Sequence, residues 1–167
     1  AFRDTLQIGE LYHELTHLWN AVDREPGPPR WNEGLATFLQ DLMQEELNGW
    51  PGRKPREQRR IASLKRQFAT DSSLVSVPLI DYGKRSMTGR SYAVGGLMFS
   101  TLYELVGPAE FNSIVGGYYN KFTTGATTRD FVAFAQQSSK RNLSTFFNDW
   151  IYTTRWTVAL TKADSVG

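Results

Sequence analysis

The stretch Asp4-Thr5-Leu6-Gln7-Ile8-Gly9-Glu10-Leu11-Tyr12-His13-Glu14-Leu15-Thr16-His17-Leu18 decides how the rest of the chain is read. Ile8, Leu11, Leu15 and Leu18 recur at three- and four-residue steps, the period of an amphipathic helix. Asp4 stands where an N-cap is expected, and the pattern runs out before Pro26-Gly27-Pro28-Pro29, a run that cannot continue a helix. The same period returns in Trp31, Leu35, Phe38, Leu39, Leu42 and Leu47, and it ends at Asn48-Gly49, a C-terminal stop. A Pro/Gly-rich connector, Trp50 to Pro55, leads to a third helix from Pro55 to Phe68, in which Ile61, Leu64 and Phe68 form a narrow apolar stripe among basic residues. Residues 70–89 show no period and read as an extended loop. Further helices are expected at Arg90 to Val106, Pro108 to Phe122, Thr128 to Ser138 and Leu143 to Thr153. Thr127 and Asp130 form a capping box for the third of these. The tail from Arg155 to Leu160 alternates weakly and is either a strand or irregular. With helices throughout, no convincing run of strands, no repeat and no low-complexity tract, the chain reads as all-α, a helical bundle.

Composition agrees with one globular domain. The chain has 167 residues, 40% apolar and 22% charged, which excludes a disordered tail and a coiled coil. At this length folding buries roughly 70% of the unfolded surface, enough for a core without covalent staples. There is no cysteine, which excludes a disulfide framework, a cysteine-based zinc finger, an iron–sulfur site and a thiol nucleophile. The longest uncharged stretch, Ser91 to Tyr103, is far shorter than the roughly 18 apolar residues a membrane span requires. No transmembrane segment is therefore expected. Ala1-Phe2-Arg3-Asp4 shows neither an initiating methionine nor a targeting pattern. Residues 1–167 are accordingly expected to be one helical subdomain of a longer protein, with no compartment legible.

His13-Glu14-Leu15-Thr16-His17 is the sharpest chemical feature. Four residues at about 100° each return the second imidazole to the face of the first, about one turn along. Two ligands then converge on one metal ion. H-E-x-x-H on a helix is a signature of zinc metallopeptidases, in which the glutamate serves as general base. Neutral imidazole nitrogens suit zinc, and Glu14 reaches an attacking water without itself ligating. A catalytic zinc needs a third protein ligand and an open position. The candidate lies in Trp31-Asn32-Glu33-Gly34-Leu35-Ala36, where Glu33 falls early on the next amphipathic helix. On the residues alone, the two histidines also read as surface packing, and Glu33 as a solvated first-turn acid complementing the helix dipole.

These motifs together resemble the C-terminal half of the thermolysin-like catalytic domain in the gluzincin zinc aminopeptidases related to alanyl aminopeptidase. Asn32-Glu33-Gly34-Leu35-Ala36 matches the family segment that carries the third ligand. Tyr92-Ala93-Val94-Gly95 matches a family tyrosine segment opening an apolar helix. Looser similarity continues through Gly107-Pro108-Ala109-Glu110-Phe111, Tyr118-Tyr119, residues 126–131 and Phe146-Phe147-Asn148-Asp149-Trp150. Two features depart from the pattern. Fifteen residues separate His17 from Glu33, fewer than in the family, and Val94 stands where the family has lysine. His17-Leu18-Trp19-Asn20 is also similar to the sister glycyl aminopeptidases.

The resemblance implies a helical bundle like the C-terminal helical subdomain of that catalytic domain. It also implies a zinc cofactor held by His13, His17 and Glu33, and hydrolysis of peptide substrates from the N-terminus. Glu14 would take a proton from the attacking water and pass it to the leaving amine. Tyr92 would donate its hydroxyl to the oxyanion, with Tyr82 as the competing tyrosine. In the family the acidic anchor for the substrate's amine comes from an upstream Gly-x-Met-Glu-Asn strand. No such segment occurs in these residues, so an upstream domain of the same chain is the expected partner.

Other features read blandly. From Arg53 to Arg66 lie seven basic residues and one acid, a local +6 within a chain of net +2. No aromatic residue sits among those charges as a stacking platform, so a solvated helix face is expected rather than a nucleic-acid interface. Asn142-Leu143-Ser144 matches a glycosylation triplet but reads first as a turn or cap. Gly95-Gly96 inside a helix points to close approach of a neighbouring backbone. Two further readings stay open: a non-catalytic interaction module that keeps the peptidase fold, and a zinc endopeptidase.

Overall fold

Where proline or left-handed glycine interrupts the period, the chain turns. In the computed structural model, which describes residues 5–19, 21–49 and 52–156, the helices are α1 (Thr5–His17), α2 (Trp31–Asn48), α3 (Arg53–Thr70), α4 (Ser91–Val106), α5 (Pro108–Lys121), α6 (Thr128–Ser138) and α7 (Ser144–Phe147). No strand occurs among the described residues; the nearest to one is an isolated bridge between Asp23 and Ala126. The architecture is all-α, as the periodicity predicts. The Asp4 cap and most of the 155–160 tail lie outside the described residues.

Helix ends follow the local chemistry. Gly49 takes φ 61° and returns its N–H to Gln44 and Glu45, a left-handed stop that glycine adopts without a Cβ penalty. Thr127 Oγ1 accepts from the Asp130 N–H at 3.2 Å while Asp130 Oδ2 accepts from the Thr127 N–H at 2.9 Å, the reciprocal capping box expected from the sequence. Asn142 Oδ1 accepts from the Ser144 N–H at 3.0 Å, so the glycosylation-like triplet forms a turn that starts α7.

Three departures are informative. The 70–89 segment is ordered by short 3₁₀ turns at Ser72–Ser76, Leu79–Asp81 and Thr88–Arg90. The final helix does not run unbroken to Thr153: it widens at Asn148–Tyr152 into a π turn, with the Thr153 N–H bonded to the Asn148 carbonyl at 2.9 Å. Phe146, Phe147, Asp149, Trp150 and Ile151 are all buried, a density of buried positions that one stripe of a regular helix cannot supply. Finally, α3 is not a freely solvated basic face. Arg56 and Arg60 reach Asp41 of α2 at 2.8 and 2.5 Å, and Arg53 reaches Glu104 at 3.3 Å. Arg59, Lys65 and Arg66 are left facing solvent.

The core is an aromatic layer among α2, α4, α5 and α6. Trp31 stacks on Phe131 at 4.5 Å between ring centroids and donates its indole N–H to Thr128 Oγ1 at 2.8 Å. That locks the first turn of α2 into the core. α2 crosses α4 at Gly34 and Gly95, where a Cβ on Gly95 would stand 2.9 Å from the Gly34 Cα, closer than side-chain carbon tolerates. The doubled glycine thus serves a backbone-on-backbone crossing, as its sequence implies. α1 differs from expectation in its buried face. Of the expected stripe, Leu11 and, just past the helix end, Leu18 are exposed and Ile8 and Leu15 only half-buried, while Gly9 and Thr16, one position round the helix, are buried.

Candidate metal centre

α1 turns its polar side toward the first turn of α2. Four-residue spacing places His13 and His17 with ring centroids 5.0 Å apart. Thr16, between them, donates its hydroxyl to the His13 carbonyl at 2.7 Å. Across the helix pair, Glu33 is 4% exposed, and a single oxygen, Oε2, lies 3.2 Å from His13 Nε2 and 3.3 Å from His17 Nε2. The short, proline-rich loop therefore suffices to bring Glu33 to both imidazoles. The other oxygen, Oε1, accepts from the guanidinium of Arg30.

The donor set fits a zinc ion. Bonds of about 2.0–2.1 Å at tetrahedral angles hold neighbouring ligand atoms about 3.3 Å apart, close to the 3.2 and 3.3 Å nitrogen–oxygen separations here. One ligand atom from each of the three residues lies within 4.8 Å of the others. Among the described residues this is the one such cluster of histidine and carboxylate groups. Two imidazole nitrogens and one carboxylate make three protein ligands, a number that would leave one position of a tetrahedral ion open.

Electrostatics favours the ionised form of Glu33. Burial alone would raise the Glu33 carboxyl, but the hydrogen bond to His13, the charges of Arg30 and His17 and the Tyr92 hydroxyl together hold it below its ordinary value. Tyr92, first in α4 after Ser91, stacks on the His13 ring at 5.6 Å with 14° between planes. Its hydroxyl donates to Glu33, and its pKa is raised by burial, by the Glu33 charge and by that bond. It is therefore a neutral donor at physiological pH. Tyr82, the competing tyrosine, is wholly buried, with burial pushing its pKa up to about 12. Tyr92, not Tyr82, meets the histidine–glutamate cluster. Glu14 is exposed on α1, near enough for its charge to raise Tyr92 further.

All five residues singled out in the sequence thus fall in one corner of the fold. Sequence reasoning missed Arg30, whose signal was a basic residue three positions before the candidate ligand. It also missed Ser91, whose hydroxyl donates to the Pro29 carbonyl and ties the start of α4 to the loop before α2.

Two imidazoles one turn apart against a buried carboxylate are an arrangement that metal-dependent hydrolases use. The model of the peptidase family M1 domain matches residues 5–150, and the chain belongs to that family, whose peptidases are zinc-dependent in general. No curated protein and no solved structure matches the chain. No helix among the described residues is long and apolar enough to cross a membrane.

Proposed function

We propose that this chain is the helical catalytic subdomain of a zinc aminopeptidase, with His13, His17 and Glu33 as the metal ligands. The observation that carries the reading is the position of Glu33 Oε2, at 3.2 and 3.3 Å from the two imidazole nitrogens. Zinc bound there supplies Lewis-acid polarisation of the scissile carbonyl and activation of water at neutral pH.

The remaining work falls to the chain's own groups. Glu14, exposed on α1 beside the ligands, takes a proton from the attacking water and delivers it to the leaving amine, so one carboxylate serves both proton transfers. Tyr92, kept neutral, gives up its bond to Glu33 and donates to the oxygen on which negative charge develops. Stacking on His13 orients the phenol ring beside the cluster, so the change asked of Tyr92 is the exchange of one acceptor for another. Aminopeptidase action further requires an acidic group to hold the substrate's free amine. We assign that group to another part of a longer protein, for which residues 1–167 form one subdomain. The exposed apolar side chains of Leu11 on α1 and of Leu18, Trp19 and Val22 in the segment that follows it support this, because large apolar side chains exposed so close together in the chain suit an interface.

Metal analysis together with cleavage assays on the full-length protein tests the reading. About one zinc per chain is expected, with hydrolysis of peptides bearing a free amine and none of their N-acetylated forms. Absence of zinc after metal-replete purification favours a non-catalytic interaction module instead, and cleavage of acetylated peptides an endopeptidase.

A further inference from the structure

Arg30 is the one charged residue touching the cluster that the proposed chemistry leaves idle, and its backbone is unusual. It precedes α2 with φ 55° and ψ 37°, the left-handed region, which non-glycine residues enter at a cost. Its side chain makes no cap to the helix. It goes instead to Glu33 Oε1, leaving Oε2 to face both imidazoles. The strained turn is held from both sides. Pro29 before it is buried and accepts from Ser91 of α4, and Trp31 after it is locked in the aromatic core.

We infer that Arg30 is a positioning residue for the metal ligand: by occupying Oε1, it makes Glu33 a one-oxygen donor aimed at the point where the two imidazoles converge. The inference rests on the zinc reading above. A carboxylate with both oxygens free can swing about its terminal torsion or grip a cation through both of them. Binding one oxygen to a guanidinium removes both options, and the charge-assisted bond is of the strong kind. Arg30 keeps 47% of its side-chain exposure, so the guanidinium approaches from the solvent side and closes that flank of the carboxylate. Retaining arginine where glycine would relax the backbone is then explained by what its side chain holds. Outer partners of this kind are typically worth about 10–100-fold in metal affinity.

The test compares Arg30→Gly and Arg30→Lys with the unaltered full-length protein. Zinc affinity is measured by chelator competition, and ligand geometry by the visible absorption of the cobalt-substituted forms. Glycine suits the left-handed backbone, so Arg30→Gly is expected to keep its helical circular dichroism. It should lose about 10–100-fold in zinc affinity and show a changed cobalt spectrum as Glu33 reorients. Arg30→Lys, which keeps a cation within reach, is expected to recover part of the affinity and the unaltered spectrum. An Arg30→Gly protein that binds zinc within about twofold of the unaltered one, with the same cobalt spectrum, overturns the role of Arg30 and leaves the metal centre standing. Failure of the unaltered protein to take up either metal overturns the zinc reading itself, and the role of Arg30 with it.

Discussion

Helix α2 carries two buried carboxylates, Glu33 near its start and Asp41 two turns on, exposed to only 4% and 3%. Their partners differ in kind. Asp41 has a guanidinium on each oxygen, Arg56 on Oδ1 and Arg60 on Oδ2. Both partners carry permanent charge, so the pair of bonds is complete and holds α3 against α2. Glu33 has one guanidinium on one oxygen, and its other oxygen faces two imidazoles whose nitrogens can ligate or accept as well as donate. Two carboxylates on one helix thus meet different company: Asp41 is saturated by fixed cations, whereas one oxygen of Glu33 is left to two imidazoles converging on a point, the arrangement that the proposed metal site needs.

Reciprocal substitutions at these two positions should separate the two uses most widely. Glu33→Ala is expected to lose zinc by more than the roughly 10–100-fold that an outer partner costs. Asp41→Ala should bind zinc normally in its folded fraction yet lose about 3 kcal/mol of stability, the low end for stranding buried charge because both arginines keep some exposure. Equilibrium urea unfolding and chelator competition on both variants read the two effects. Equal zinc loss in the two would erase the distinction.

Glu14→Gln isolates proton transfer from metal binding. Zinc content should be unchanged and kcat should fall by about 10² or more. Full activity in this variant would remove Glu14 from the mechanism. Tyr92→Phe is expected to have the smallest effect, about 10–100-fold in kcat with zinc retained, at or below the usual cost of an oxyanion donor because the residue is 38% exposed. Unchanged kinetics there would move oxyanion stabilisation to backbone donors, since Tyr82 is sealed in the core.

What could be read from the sequence, and what could not, divides along physical lines. The stop at Gly49, the capping box at Thr127 and the crossing at Gly95 each depend on a local stereochemical requirement that only a few residue types meet, so they were legible. The pairing of His13 with His17 was legible because the four-residue step of a helix returns both to one face, whereas the part given to Glu14 came from the motif it stands in. The buried face of α1 was not. Its leucine stripe promised a core contact, but the helix presents its histidine side to α2, since the site itself is the packing interface. The inward turn of Arg56 and Arg60 was hidden for a related reason: a run of basic residues says nothing about which carboxylate of another helix lies opposite. Arg30 was missed because left-handed backbone at a non-glycine residue leaves no compositional trace. Choosing Tyr92 over Tyr82 required the resemblance, and the stacking on His13 supplies the physical reason for it.

The glycine contact between α2 and α4 also acts as a fulcrum. Glu33 is one residue from Gly34, Tyr92 is three from Gly95, and Asn48 is fourteen from Gly34. At about 1.5 Å of rise per residue, rocking the helices by about 5° around that point shifts the backbone at Glu33 and Tyr92 by only about 0.1–0.4 Å, against about 2 Å at the far end of α2. Any rocking about that contact would therefore displace the backbone of Glu33 and Tyr92 least and the distant helix ends most.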